Sequence, residues 1–258
     1  MKKYLLLALA ALSFGTIPAA AQFNFAGGQA MGGSDAGMEK LYGSNQTFSA
    51  ALLMQVSNSG MPMTLSGKMS FDHGSSRTEM DMADMKGGGI PPEAMTQMKS
   101  MGLDRMVTVS QSGKKTIYVI YPNAQAYAEM TPPDMTPAAT NDSKVEITEL
   151  GKETVDGHPC VKNNAVVTDK QGSKHQFTVW NATDLKNFPV KIEMNEPGNG
   201  SSPAVAMTVS YQNISFSKPD ASSFSPPTGY TKYDSVPEMM QSVMMKKLGG
   251  GMGLPQGQ

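Results

Sequence analysis

The chain has 258 residues, with 21 basic and 22 acidic side chains and a net charge of −1. Charged residues make up 17% and hydrophobic ones 39%, which excludes a disordered polyampholyte. Two arginines, Arg77 and Arg105, are too few for a nucleic-acid-binding stripe, and one cysteine excludes a disulfide framework or a Cys-rich metal site. Against that ordinary background stand 23 methionines.

Residues 1–21 read as a secretory signal peptide. Lys2 and Lys3 form a positive start, Tyr4 to Phe14 an apolar run, and Ala19-Ala20-Ala21 a small-residue cleavage site. The run is about half of the ~20 residues that span a bilayer, and no later stretch is longer, so no transmembrane segment is expected. The only cysteine, Cys160, is far from the cleavage point, so the product is not expected to be a lipoprotein. The expected location is the periplasm.

Residues 22–44 are rich in Gly, Ala and Ser and read as a flexible leader. From Phe48 the hydrophobic period becomes two. Leu52 and Met54 share one face of a first strand, and Leu65, Met69 and Phe71 one face of a second, with Asn58-Ser59-Gly60 as the turn. Thr78, Met80 and Met82 alternate in a third strand. Gly87-Gly88-Gly89 interrupts the sheet, and Pro91-Pro92-Glu93 starts a short helix carrying Met95, Met98 and Met101.

Strand patterning resumes at Met106–Ser110 and at Lys115–Tyr121, which carries Ile117 and Val119. Further strands fall at Ala124–Met130, Val145–Leu150, Cys160–Thr168, Lys174–Asn181, Val190–Met194 and Val205–Ile214. The stretch Thr131–Asp142 reads as a loop or short helix. Ser235 and Glu238 form a capping box that opens a helix over 235–248, with Met239, Met240 and Met244 on its apolar face. Gly249 begins a disordered tail, 249–258.

The expected fold class is α+β, mostly antiparallel β. About ten strands form a curved sheet or half-barrel, with short helical lids and a C-terminal amphipathic helix.

Three stretches carry a family resemblance: Gly151 to Cys160, Thr178-Val179-Trp180 with Phe188-Pro189-Val190-Lys191, and Phe224 to Tyr230. They are similar to the turn before a central strand, the tryptophan strand with its successor, and the closing segment of the LolA/LolB-like superfamily. Its members include periplasmic lipoprotein carriers, and the chain more closely resembles an uncharacterised bacterial family grouped with them. The resemblance covers roughly residues 46–232, within a β domain expected over 45–234. It implies a half-barrel with helices across its open face, whose cavity in the carriers receives acyl chains.

The expectation is therefore a non-enzymatic carrier that holds a lipid or a lipoprotein acyl chain, with an envelope protein as a possible second partner. Leu52, Met54, Leu65, Met69, Phe71, Ile117, Val119, Trp180 and Ile192 are the candidate walls. Met95, Met98, Met101, Met239, Met240 and Met244 are the candidate lid contacts, since methionine adapts to irregular apolar shapes. No cofactor is expected.

Two alternatives stand beside this reading. Thioethers suit Cu(I), which makes Met61, Met63, Met80, Met82 and Met85 a candidate copper set. A ligand-free envelope scaffold is the other. Catalysis ranks below both, because His158 and Cys160 two residues apart in a strand match no nucleophile signature.

Overall fold

The structure is a computed structural model that describes residues 39–249, apart from 59–60, 90, 112–113, 115, 131–143, 169–171, 173 and 197–203. The signal peptide, the leader as far as residue 38, the Thr131–Asp142 segment and the tail beyond Gly249 lie outside the described residues.

Twelve strands form one curved, unclosed sheet. The first six are β1 (Thr47–Asn58), β2 (Met61–Asp72), β3 (Ser75–Gly87), β4 (Arg105–Ser110), β5 (Ile117–Tyr121) and β6 (Ala126–Met130). The next five are β7 (Lys144–Val155), β8 (His158–Thr168), β9 (Lys174–Ala182), β10 (Phe188–Glu196) and β11 (Val205–Ser215), and β12 is Thr231–Tyr233. The spatial order is β12-β6-β5-β4-β3-β2-β1-β11-β10-β9-β8-β7. Two meanders, β1–β6 and β7–β11, are thus zipped together where β11 pairs antiparallel with β1. Only β12 runs parallel to its neighbour, β6. The expected half-barrel class holds. Eleven of the twelve fall on segments that alternation marks, and β12 does not, because it is three residues long, too short for a periodic signal.

Turn chemistry explains the tight connections. His73 and Gly74 have φ of 48° and 80°, and Asp156 and Gly157 have 50° and 86°. These are the left-handed pairs that a two-residue hairpin loop needs. Gly151, expected in the turn before a strand, is instead a register shift inside β7 at φ 141°. The strand that follows, β8, is next to the edge of the sheet rather than central.

One ladder of partners defines an inner face. Ile147 pairs with Ala165, Val179 with Ile192, Ile192 with Val209, Val209 with Met54, and Met54 with Leu65. Beyond β2 the face continues through Gly67, Met80 and Met106 and ends on Val119 and Ala128. Met54, Leu65 and Ile192 are each 1% exposed, so the middle of this face is deep core. At one end of the sheet it is covered by two helices, α1 (Pro92–Met101) and α2 (Val236–Gly249).

Helix α1 stops at Gly102, whose φ of 74° and N–H bond to Lys99 O at 3.0 Å make a left-handed C-cap. Helix α2 starts with the expected box in shifted form. Ser235 Oγ accepts from Glu238 N–H at 3.2 Å, and Glu238 Oε2 accepts from the N–H of Asp234 at 3.3 Å.

The outer face of β4 and β5 is covered by a 3-10 turn, Ala221–Phe224. Phe224 packs on Val107, Val109, Tyr118 and Ile120. Gln111 Nε2 donates to Phe224 O at 2.6 Å and Arg77 Nη1 to Ser223 O at 3.2 Å, so polar bonds pin the segment down.

Candidate apolar site

The helices expected as lids pack onto the sheet, α2 more deeply than α1. Met239 is 0% exposed and sits in one cluster with Leu103, Val119, Tyr121, Ala126, Tyr233 and Val243. Met98, Met101, Met240 and Ile117 pack against the same cluster, while Met95 and Met244 are half-buried on the same helices. Burial pushes the Tyr121 phenol up to about 12, which is the mark of a dry interior. Here the adaptable methionines fill a core over β5, β6 and β12.

The cavity lies at the other end of the inner face. It measures about 340 Å³, and its floor is Ile147 of β7, Val161 and Ala165 of β8, and Val179 of β9. One wall is the chain just before β1, where a helical turn at 39–41 leads into Leu41, Tyr42 and Asn45. The other is the β9–β10 turn at Lys186 and Asn187. Ile147 is 64% exposed, so the site opens to solvent along the β7 edge. Leu150, on the same edge strand, is 56% exposed.

Aromatic packing builds the first wall. Tyr42 is 3% exposed, and its ring lies 4.9 Å from Phe48, 5.3 Å from Phe71, and 6.1 Å from both Phe188 and Tyr211. Its hydroxyl is 2.9 Å from that of Tyr211 and donates to Met69 Sδ at 3.7 Å. Asn45, 6% exposed, donates to Tyr42 O at 3.0 Å and to Lys186 O at 3.2 Å, joining the two walls. The expected leader ran to residue 44, but Leu41 and Tyr42 are core. A lone Leu-Tyr pair after a Gly-rich stretch has no period to reveal it.

None of the residues expected to line a ligand site lines this cavity. Leu52, Met54, Leu65, Met69, Phe71, Ile117, Val119 and Ile192 do share the inner face, as alternation implied, but they lie along its middle and its helix-covered end.

Trp180 departs from that group. The register pairs it with Lys191 and Lys162 on the outer face, while its neighbour Val179 pairs with Ile192 on the inner one. Both ammonium groups lie over its ring, at 4.8 Å for Lys162 and 4.4 Å for Lys191, and its indole N–H donates to Glu153. The lysine stems leave the indole 3% exposed on a wet face. Alternation along β9 sets this face: Phe177 and Val179 point inward, so Trp180 points outward, and β9 pairs with β8 without a register shift.

The copper candidates lie along β2 and β3. Met63 pairs with Gly87 and Met80 with Gly67, while Met82 and Met85 fall in the irregular stretch between those two blocks of register. Met80 and Met82 are 2% and 6% exposed.

The His158–Cys160 spacing forms no nucleophile–base pair. Cys160 Sγ donates to His158 O, a backbone atom, at 3.3 Å, and His158 Nδ1 lies 2.8 Å from Asp184 Oδ2. Burial pushes the Cys160 thiol up, away from the reactive thiolate. Among the described residues no group of three or more His, Cys, Asp or Glu side chains is placed to hold a metal ion.

A family model described as a domain of unknown function, DUF4412, matches residues 60–188. No curated protein matches the chain. Solved structures that it resembles include the lipoprotein LppX of Mycobacterium tuberculosis, at 10% identity over 70% of this chain and 95% of that one, with a TM-score of 0.39. Another is a LolA superfamily protein from Nitrosomonas europaea, at 10% identity over 77% and 97% with a TM-score of 0.34. A DUF1329 family protein from Desulfovibrio piger matches at 13% identity over 76% and 96%, with a TM-score of 0.31.

Proposed function

The chain belongs to the DUF4412 family, a domain of unknown function, and from that premise we propose that it is a non-enzymatic periplasmic protein that binds or carries a lipid or other alkyl-chain ligand. The observation that carries this reading is the cavity of about 340 Å³ on the inner face, floored by Ile147, Val161, Ala165 and Val179. Its size falls within the range of small-molecule sites. Each methylene that leaves water contributes roughly 0.8 kcal/mol, so an apolar chain needs no specific bond to be retained there. The sequence pattern of residues 1–21 supports export to the envelope.

The test is mass spectrometry of protein purified without detergent, after organic extraction, with elemental analysis of the same sample. Co-purifying lipid at near one-to-one load is expected, falling about tenfold in Ile147→Asp, which puts a charge on the apolar floor. Ile147 is 64% exposed, so that change leaves the core intact. Lipid-free protein that also fails to take up dodecanol would overturn the reading, and stoichiometric copper in its place would favour the thioether alternative.

A further inference from the structure

The rim of the cavity is polar, and its charge has one sign. Its lining includes Lys40 and Lys186 and no Asp or Glu, in a chain whose acidic residues outnumber its basic ones by 22 to 21. The acid nearest in register, Glu149 opposite Asn163, is exposed and outside the lining.

The Lys186 rim is built with some strain. Lys186 and Asn187 both adopt left-handed backbone, with φ of 55° and 56°. Asparagine tolerates that region, but lysine is not among the residues enriched there. Asn45 Nδ2 holds the Lys186 carbonyl at 3.2 Å, and Asn181 Nδ2 holds the Asn187 carbonyl at 2.9 Å. Asn163 Nδ2 donates in turn to Asn181 Oδ1 at 3.0 Å, so a chain of amides runs from the apolar floor to the strained turn. The Lys186 ammonium stands 4.6 Å over the Phe216 ring, an aromatic face that favours a cation there.

Two lysines and two amides border an otherwise apolar floor, a lining that suits a charged head joined to an alkyl chain better than a purely apolar cargo. We infer that the ligand is a single-chain amphiphile with an anionic head. The head lies between Lys40 and Lys186 beside the Asn163–Asn181 amides, and the alkyl chain lies over Ile147, Ala165 and Val179. This rests on the carrier reading and specifies its cargo. A carboxylate and a phosphate head share the chemistry.

The experiment is calorimetric titration of the purified protein with dodecanoate, dodecyl phosphate, dodecanol and dodecylammonium, each below its micelle concentration. At least one anion is expected to bind about tenfold tighter than dodecanol, as two solvent-screened charges allow. Dodecylammonium should bind more weakly than dodecanol, and the tighter anion identifies the head. The double substitution Lys40→Gln with Lys186→Gln should abolish the preference for an anion over dodecanol. Dodecanol binding within twofold of both anions, or a preference that survives in the double variant, overturns the inference and leaves the carrier reading standing. Failure of all four ligands to bind overturns both.

Discussion

Met239→Ala separates a structural helix from a moving cover. Met239 is 0% exposed and lies at the centre of the cluster that joins α2 to β5, β6 and β12. Truncating a fully buried methionine costs about 2–5 kcal/mol, the lost transfer energy plus the cavity left behind. Leu103, Tyr121 and Val243 surround the site and are themselves held in the sheet and helices, so little collapse is available and about 3 kcal/mol is expected. For a domain of this size that is a fall in Tm of about 6–12 °C. Urea unfolding followed by circular dichroism should show a lower midpoint with an unchanged slope. Met245, on the same helix and 65% exposed, is the control, and Met245→Ala should stay within about 0.5 kcal/mol of wild type. A Met239→Ala cost below about 1 kcal/mol, or a separate early transition in which α2 leaves the sheet, would refute the packed-core assignment. Dodecanol binding should be unaffected, because the cavity is at the other end of the sheet.

Other expectations follow from single contacts. Burial alone would raise the Glu79 carboxyl, but hydrogen bonds from Arg105 at 2.5 Å and Arg77 at 2.8 Å outweigh it and hold the group below its ordinary value of about 4.5. A depressed carboxyl stabilises the fold above that value, and the contribution is lost as pH falls through and below it. Wild type should therefore melt above Glu79→Gln at pH 7, with the gap narrowing as pH falls below the ordinary carboxyl value; a gap independent of pH would refute the ion-pair account. Gly102→Ala should be severely destabilising, since a Cβ would meet the Asn123 carbonyl carbon at 2.6 Å on top of a φ of 74°. Gly229→Ala, with φ 81° and nothing within 4 Å, should cost only about 1 kcal/mol in thermal melts, and equal costs would refute the clash. Tyr42→Phe removes the bond to Tyr211 and should cost about 1 kcal/mol, whereas Tyr42→Ala opens the aromatic cluster at about 3–5 kcal/mol. A Tyr42→Ala protein as stable as wild type would show that the segment before β1 is not a wall.

The strands of this protein are legible residue by residue, because an antiparallel sheet with two unlike faces writes its period directly into the chain. Leu52, Met54, Leu65, Met69, Phe71, Ile117, Val119 and Ile192 all lie on the face that alternation assigned. The capping box at Ser235 and Glu238 and the proline start of α1 are equally local, and both are present in the structure. Met54, Met69, Met80 and Met239 are all interior.

Where the space remains is a different kind of fact. Whether Met98 and Met239 cover a cavity or fill it depends on how closely α1 and α2 sit on β6 and β12, and no period in the sequence records that distance. The outward face of Trp180 follows from alternation with Phe177 and Val179, but its cover does not, because Lys162 and Lys191 come from the two neighbouring strands. The cavity itself joins Tyr42 and Asn45 to Ala165, Val179 and Lys186, residues more than a hundred positions apart that are neighbours only because β11 pairs with β1. Local period and capping chemistry are determined by the sequence alone, since they act over a few residues. The position and polarity of the site are set by long-range strand pairing, and only the tertiary structure decides them.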